Sequence, residues 1–120
     1  MPSMFEGLQL PATFDAHVHL RSGTMMETVV ATIRDGGADT VYVMPNLVPP
    51  IATVEACLEY QKKLQDLEPN VTFLMSLYLC PALTPDVIVE AKKAGIKGVK
   101  SYPVLCPTTL QCAVKFFDTN

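Results

Sequence analysis

The chain alternates predicted strands and helices at a nearly constant interval, and this alternation constrains its fold more than any other feature. Runs typical of strands, alternating or continuously apolar, begin near residues 13, 40, 71 and 97. A helical pattern follows each of the first three runs. Intervals of this length suit βα units, in which a helix connects one parallel strand to the next. The sequence therefore predicts an α/β fold with a parallel sheet.

Turn and capping residues set the expected limits of these elements. The strands are expected at residues 13–20, 40–44, 71–79 and 97–102, and the helices at residues 24–36, 53–67 and 84–95. Thr24 and Glu27 have the spacing of a capping box at the start of the first helix. Thr53 and Thr84 are expected to cap the second and third helices. Two architectures fit this order: a small open α/β sheet, or the first half of a (β/α)₈ barrel.

Length and composition exclude several classes of protein. The chain has 120 residues, of which 49% are hydrophobic and 18% charged, so one folded domain is expected. A net charge of −3 leaves no basic face for nucleic acid, and no apolar run is long enough to span a membrane. The first residues do not resemble a signal peptide, so a cytoplasmic location is expected. The four cysteines are far apart and are expected to be reduced, buried thiols.

The first predicted strand ends in a cluster of polar side chains. Side chains alternate across a strand, so Asp15, His17, His19 and Arg21 are expected on one face. Two imidazoles that project together can bind one divalent ion. The alternative is a pair of polar histidines at a strand end, without a metal. The carboxyl end of a parallel strand is where α/β proteins place their sites, and this favours the metal hypothesis.

Two more residues at predicted strand ends have both a functional and a structural interpretation. Lys100 is either a lysine that reaches solvent or a buried amine that takes up carbon dioxide to form a metal-bridging carbamate. Asn46 is either an ordinary turn residue beside a proline or an amide that binds a substrate carboxylate together with Arg21. The sequence contains no glycine-rich phosphate loop and no pattern of a nucleophilic triad.

Three segments together resemble the dihydroorotase family, in its compact single-function type found in many bacteria and fungi. They are FDAHVHLR (Phe14–Arg21), VMPNLVPPI (Val43–Ile51) and GVKSYP (Gly98–Pro103). The segments occur in order over residues 10–103, each at a predicted strand end. Dihydroorotases belong to the amidohydrolase superfamily. The resemblance therefore implies the N-terminal half, about four βα units, of a metal-dependent TIM (β/α)₈ barrel.

The resemblance also implies an activity and a set of site residues. The reaction would be the reversible cyclisation of N-carbamoyl-L-aspartate to dihydroorotate in de novo pyrimidine biosynthesis, with two Zn²⁺ ions as cofactors. His17 and His19 match the ligands of the first metal. Lys100 matches the catalytic, carboxylated lysine that bridges both ions. Arg21 and Asn46 match the residues that bind the substrate carboxylate.

The chain lacks other residues that the family uses. The second metal takes two histidines from later strands, whereas this chain has only two histidines in all. An aspartate ligand also comes from a late strand, and Asp118 does not lie in a position that suits this role. Residues 104–120 depart from the family pattern, although Thr108–Thr109 resembles a pair in its substrate loop. We therefore expect a single partial barrel domain over residues 1–120 that is incomplete and inactive by itself.

Two alternative functions stay open at this point. One is a non-catalytic fragment that acts by association, with a homodimer among the expected assemblies. The other is a related cyclic-amide hydrolase such as a hydantoinase or allantoinase. Arg21 and Asn46 favour a small-molecule substrate that carries a carboxylate, and no nucleic acid or membrane partner is expected.

Overall fold

The computed structural model describes residues 5–101, which form an α/β fold in which every strand pairing is parallel. The strands are β1 (Thr13–Val18), β2 (Ala38–Val43), β3 (Thr72–Leu74), β4 (Ser76–Tyr78) and β5 (Gly98–Lys100). The helices are α1 (Gly23–Asp35), α2 (Val54–Leu67) and α3 (Pro85–Lys93). The predicted class and the predicted order of elements are confirmed. The segment 104–120, with Cys106, Cys112, Thr108–Thr109 and Asp118, lies outside the described residues.

The third predicted strand is in fact two short strands separated by Met75. β3 pairs with β2, whereas β4 pairs with β5. Neighbouring strands of a curved sheet are staggered along their length, so one segment pairs with β2 at its beginning and with β5 at its end. All three residues of β4 are buried, as predicted for a strand covered on both faces, but Thr72 of β3 is exposed.

The start of α1 differs from the prediction. Ser22, and not Thr24, is the N-cap residue, and its side chain makes no capping hydrogen bond. Thr24 already lies within the helix, where its carbonyl accepts a hydrogen bond from the Thr28 hydroxyl. The capping-box prediction is wrong because Gly23, with a φ of 60°, turns the chain into the helix before Thr24.

The other two helices begin as predicted. The Thr53 hydroxyl accepts a hydrogen bond from the Ala56 N–H at 3.2 Å, at the start of α2. The Thr84 hydroxyl accepts one from the Val87 N–H at 3.5 Å, at the start of α3. None of the helices in the described part of the chain is long and apolar enough to cross a membrane.

The core lies between the helices and one face of the sheet. Its buried members from strands and helices include Val30, Ile33, Val41, Val43, Cys57, Tyr60, Leu64, Phe73, Leu77 and Ala91. Cys57 and Cys80 are buried free thiols, as predicted. Burial raises the pKa of Cys57 to about 11, so this thiol stays protonated.

The two outer strands are open on one side. Within residues 5–101, β1 pairs only with β2, and β5 pairs only with β4. Most of β1 is exposed, and Phe14 keeps 55% of its surface accessible. Open strand edges and exposed apolar surface are therefore present in this region.

Candidate active site

The carboxyl end of β1 holds His17 and His19 side by side. His17 lies in β1 and His19 one residue beyond its end. Their Nε2 atoms are 3.2 Å apart, and their ring centroids are 5.2 Å apart. The two imidazoles therefore project together, as the spacing predicts, and can direct nitrogen lone pairs to a shared point.

Asp15 lies where the pairing of β1 with β2 is irregular. It pairs with Val41, and Val18 pairs with Val43, so β1 has one residue more than β2 between these two pairs. An extra residue of this kind is a β-bulge, which shifts the alternation of side chains. The Asp15 carboxylate accepts a hydrogen bond at 2.9 Å from the backbone N–H of His17. That Asp15 shares the face of the two imidazoles stays a prediction.

The surroundings of His19 keep its imidazole neutral. Burial lowers the pKa of His19 below its ordinary value of 6.5, and the charges of His17, Arg21 and Lys100 lower it further. A neutral imidazole is the form that binds a metal ion. The predicted metal ligand is therefore in its binding form near pH 7.

The charge of Lys100, on β5, affects the pKa of His19, which follows β1. Lys100 is the last residue of β5, it is half-buried, and it pairs with Tyr78 of β4. β1 and β5 stand at opposite ends of the pairing order, yet the charge of Lys100 lowers the pKa of His19. The Lys100 amine is therefore near enough to His19 for this electrostatic effect.

Arg21 occupies the loop between β1 and α1 in an unusual backbone conformation. Its φ is 62°, in the left-handed region, which costs a residue with a side chain about 1–2 kcal/mol. Leu20 before it is fully buried. The Tyr60 hydroxyl of α2 donates a hydrogen bond at 2.6 Å to the Arg21 carbonyl oxygen. The Arg21 side chain itself is exposed at the carboxyl end of the sheet.

Asn46 lies in the loop that follows β2. The carbonyl of Pro45 accepts hydrogen bonds from the N–H groups of Leu47 and Ile51, at 2.9 and 3.0 Å, and so closes the loop around it. The Asn46 Oδ1 atom is buried and has no hydrogen-bond partner among the described residues. A buried amide oxygen without a donor is costly, so this group has unused capacity to bind. No hydrogen bond in residues 5–101 joins Asn46 to the histidines.

These donors fit part of a metal site. His17 and His19 offer two imidazole nitrogens at a suitable separation, but zinc in proteins takes three or four ligands from the chain. The described part of the chain contains no group of three or more histidine, cysteine, aspartate or glutamate residues that could hold an ion. Among the described residues, the two histidines could therefore supply two ligands of a metal site.

Comparison with known proteins shows which proteins this chain is similar to. No protein-family model matches the chain. A probable dihydroorotase of Schizosaccharomyces pombe is 50% identical over 111 residues, which are 92% of this chain and 33% of that protein. The crystal structure of Saccharomyces cerevisiae dihydroorotase in complex with 5-fluoroorotic acid has a TM-score of 0.80 and 50% identity, covering 87% of this chain and 29% of that chain. This chain is similar to part of a dihydroorotase.

The similarity to dihydroorotases settles which of the two expected architectures applies. The chain spans about a third of the length of the curated relatives that it matches. Its strands and helices form a part of the amidohydrolase (β/α)₈ barrel and not a small open sheet. An L-hydantoinase (dihydropyrimidinase) from Arthrobacter aurescens is also similar, with a TM-score of 0.67 and 27% identity over 87% of this chain and 24% of that chain. The higher identity to dihydroorotases favours them over the hydantoinase.

Tyr60 is the residue of this region that the sequence did not reveal. Its hydrogen-bond partner, Arg21, is 39 residues away in the chain. Tyr60 falls on the apolar face of α2, where a tyrosine is indistinguishable from an ordinary core residue. The only local hint would be the hydroxyl group itself, because a buried phenol requires a partner.

Proposed function

We propose that this chain is part of a zinc-dependent dihydroorotase, which interconverts N-carbamoyl-L-aspartate and dihydroorotate in pyrimidine biosynthesis. The observation that supports it most strongly is the convergence of His17 and His19 at the carboxyl end of β1, in a chain 50% identical to a dihydroorotase. The described residues offer two ligands of such a site. A complete site would need further ligands from residues outside them.

His17, His19 and Lys100 would hold the metal ions. The first two would bind one zinc ion through their imidazole nitrogens. The Lys100 amine would attack carbon dioxide, form an N–C bond and release a proton, and the resulting carbamate would offer oxygen ligands. Zinc held by these residues would supply Lewis-acid chemistry, lowering the pKa of water and polarising the carbonyl of a cyclic amide.

Arg21 and Asn46 would bind the carboxylate of the substrate. A guanidinium donates two parallel hydrogen bonds to a carboxylate, and an asparagine amide can donate a third. The exposed guanidinium of Arg21 leaves this bidentate face available at the carboxyl end of the sheet. Dihydroorotate carries such a carboxylate and hydantoin does not. The reading as a hydantoinase or allantoinase is therefore the weaker one.

A second candidate is a non-catalytic fragment that acts by association. The open edges of β1 and β5 support it, because an unpaired strand edge offers a row of backbone groups to another chain. The partner would be a second copy, in a homodimer, or a complete enzyme. For both candidates we propose a cytoplasmic location. The small-molecule substrate would bind to the complete enzyme.

The test is a substrate panel on the protein isolated at its natural length and loaded with zinc. We expect turnover of dihydroorotate and none of hydantoin or allantoin. Lys100→Ala should abolish turnover, and small carboxylic acids should restore part of it by replacing the carbamate. Lys97→Ala is the matched control, because Lys97 is an exposed lysine of the same segment. Hydantoin turnover without dihydroorotate turnover would replace the proposal with the hydantoinase, and self-association without any turnover would favour the fragment.

A further inference from the structure

Arg21 adopts a backbone conformation that a residue with a side chain takes only under constraint. It has the one positive φ among the non-glycine residues of the described part, at 62°. The left-handed region brings Cβ too close to the following carbonyl oxygen, so an unconstrained arginine avoids it. Something in the surrounding structure must therefore hold this residue in place.

Two contacts constrain this part of the chain. Leu20, the residue before it, is fully buried in the core. The Tyr60 hydroxyl donates a hydrogen bond at 2.6 Å to the carbonyl oxygen of Arg21 itself. No other hydrogen bond to that carbonyl is found within residues 5–101. The contact that acts directly on the strained residue is therefore the phenol.

The Tyr60 hydroxyl, which donates this hydrogen bond, belongs to a buried side chain of a helix. Tyr60 is only 6% exposed and lies within α2, between the fully buried Cys57 and Leu64. Burial raises the pKa of Tyr60 to about 12, although the charge of Arg21 lowers it slightly, so the phenol keeps its proton at any physiological pH. A fixed and permanently protonated donor can define the position of the carbonyl that it binds.

We propose that Tyr60 is a positioning residue for Arg21: its hydrogen bond holds the left-handed backbone conformation from which the guanidinium reaches the substrate carboxylate. Tyr60 itself touches no reacting atom. The role of Arg21 toward substrate rests on the proposed function, whereas the effect of Tyr60 on the backbone does not. The two parts are tested separately.

The first experiment measures the effect of Tyr60 on the backbone without any substrate. Glycine tolerates a positive φ and alanine does not, so the difference between Arg21→Gly and Arg21→Ala reports the conformation at this position. Both variants lose the same guanidinium. In the full chain we expect Arg21→Gly to have a higher midpoint of thermal unfolding than Arg21→Ala. In a Tyr60→Phe background the loop can relax, and this difference should disappear or reverse.

Ser76→Ala provides the matched control. The Ser76 hydroxyl also donates a buried hydrogen bond at 2.6 Å to a backbone carbonyl, that of Val43. This variant should lower the midpoint of unfolding but leave the difference between glycine and alanine at position 21 intact. A difference that persists in the Tyr60→Phe background would overturn the proposal, because Tyr60 would then only stabilise the core.

The second experiment measures the affinity for N-carbamoyl-L-aspartate in the protein of natural length. Tyr60→Phe should raise KM severalfold while kcat changes less than twofold, and it should add nothing to the effect of Arg21→Ala. An unchanged KM, or an additive effect, would overturn the link between Tyr60 and substrate binding. A wild-type protein that neither binds nor converts this compound would instead refute the proposed function. The difference in unfolding midpoint between Arg21→Gly and Arg21→Ala would still decide whether Tyr60 holds the backbone at Arg21.

Discussion

The Tyr42 hydroxyl occupies the space that a side chain at Gly98 would need. Tyr42 lies on β2, which pairs with β3, and Gly98 lies on β5, which pairs with β4. A Cβ atom at Gly98 would collide with the Tyr42 hydroxyl oxygen. Gly98 precedes Lys100 by two residues and so shares its face of the strand. The absence of a side chain at Gly98 therefore lets the large Tyr42 ring cross toward the strand that carries the predicted catalytic lysine.

Replacing Gly98 with alanine should destabilise the fold. Overpacking of this kind typically costs about 1–3 kcal/mol, because the Tyr42 ring must shift away from the new Cβ atom. The measurement is the free energy of unfolding from urea denaturation. Tyr42→Phe in the same background should restore much of the loss, since the nearest remaining ring atom, Cζ, would lie 3.4 Å from the new Cβ.

Gly36→Ala is the control for this experiment. Gly36 has a φ of −76°, and a Cβ there would meet only the Thr32 and Ile33 carbonyl oxygens, at 3.4 and 3.5 Å. We expect this variant to be neutral or slightly stabilising. Equal destabilisation by both substitutions would show that the contact between Tyr42 and Gly98 is not responsible.

The N-caps of α1 and α2 should respond differently to the same kind of substitution. Thr53→Ala removes the hydrogen bond to the Ala56 N–H and should lower the free energy of unfolding by about 1 kcal/mol. Ser22→Ala should change it much less, because the Ser22 side chain makes no capping bond. Urea denaturation of the two variants tests this contrast. A loss from Ser22→Ala as large as that from Thr53→Ala would contradict it.

The charge state of His19 should couple stability to pH. Its pKa is lowered in the folded chain, so the unfolded chain takes up a proton first as the pH falls below 6.5. The stability that His19 contributes is thus complete above pH 6.5 and is lost as the pH falls through the folded pKa. Unfolding of wild type and His19→Asn at several pH values tests this, and the wild type should lose stability more steeply on acidification.

The contribution of Arg21 to the His19 titration can be measured separately. Proton NMR of the two imidazoles should show the His19 pKa rising in Arg21→Ala, because one nearby positive charge is removed. Arg34→Ala, which removes an exposed arginine from the last turn of α1, should leave it where it was. If the His19 pKa is the same in Arg21→Ala as in wild type, the Arg21 guanidinium does not lie near His19.

Much of this fold could be predicted from local patterns alone. Strand starts, helix ends and the caps at Thr53 and Thr84 depend on residues close in sequence, and these predictions are correct to within a few residues. The convergence of His17 and His19 follows from the same local alternation. Three segments at strand ends were enough to suggest the family.

The features that sequence reasoning missed depend on contacts between distant elements. The bulge between Asp15 and Val18 arises from the pairing of β1 with β2. The break at Met75 arises because β2 and β5 pair with different halves of one segment. The hydrogen bond from Tyr60 to Arg21 joins α2 to the loop after β1. No pattern of neighbouring residues contains this information.

The most direct test of the account is a chimera. Residues 10–103 of this chain would replace the matching segment of the Saccharomyces cerevisiae dihydroorotase, whose remaining strands would complete the barrel. Hydrolysis of dihydroorotate is then measured for the chimera and for its His17→Ala and Lys100→Ala variants. We expect turnover by the chimera and its loss in both variants. A folded, zinc-loaded chimera that does not hydrolyse dihydroorotate, or a Lys100→Ala variant that still does, would contradict it.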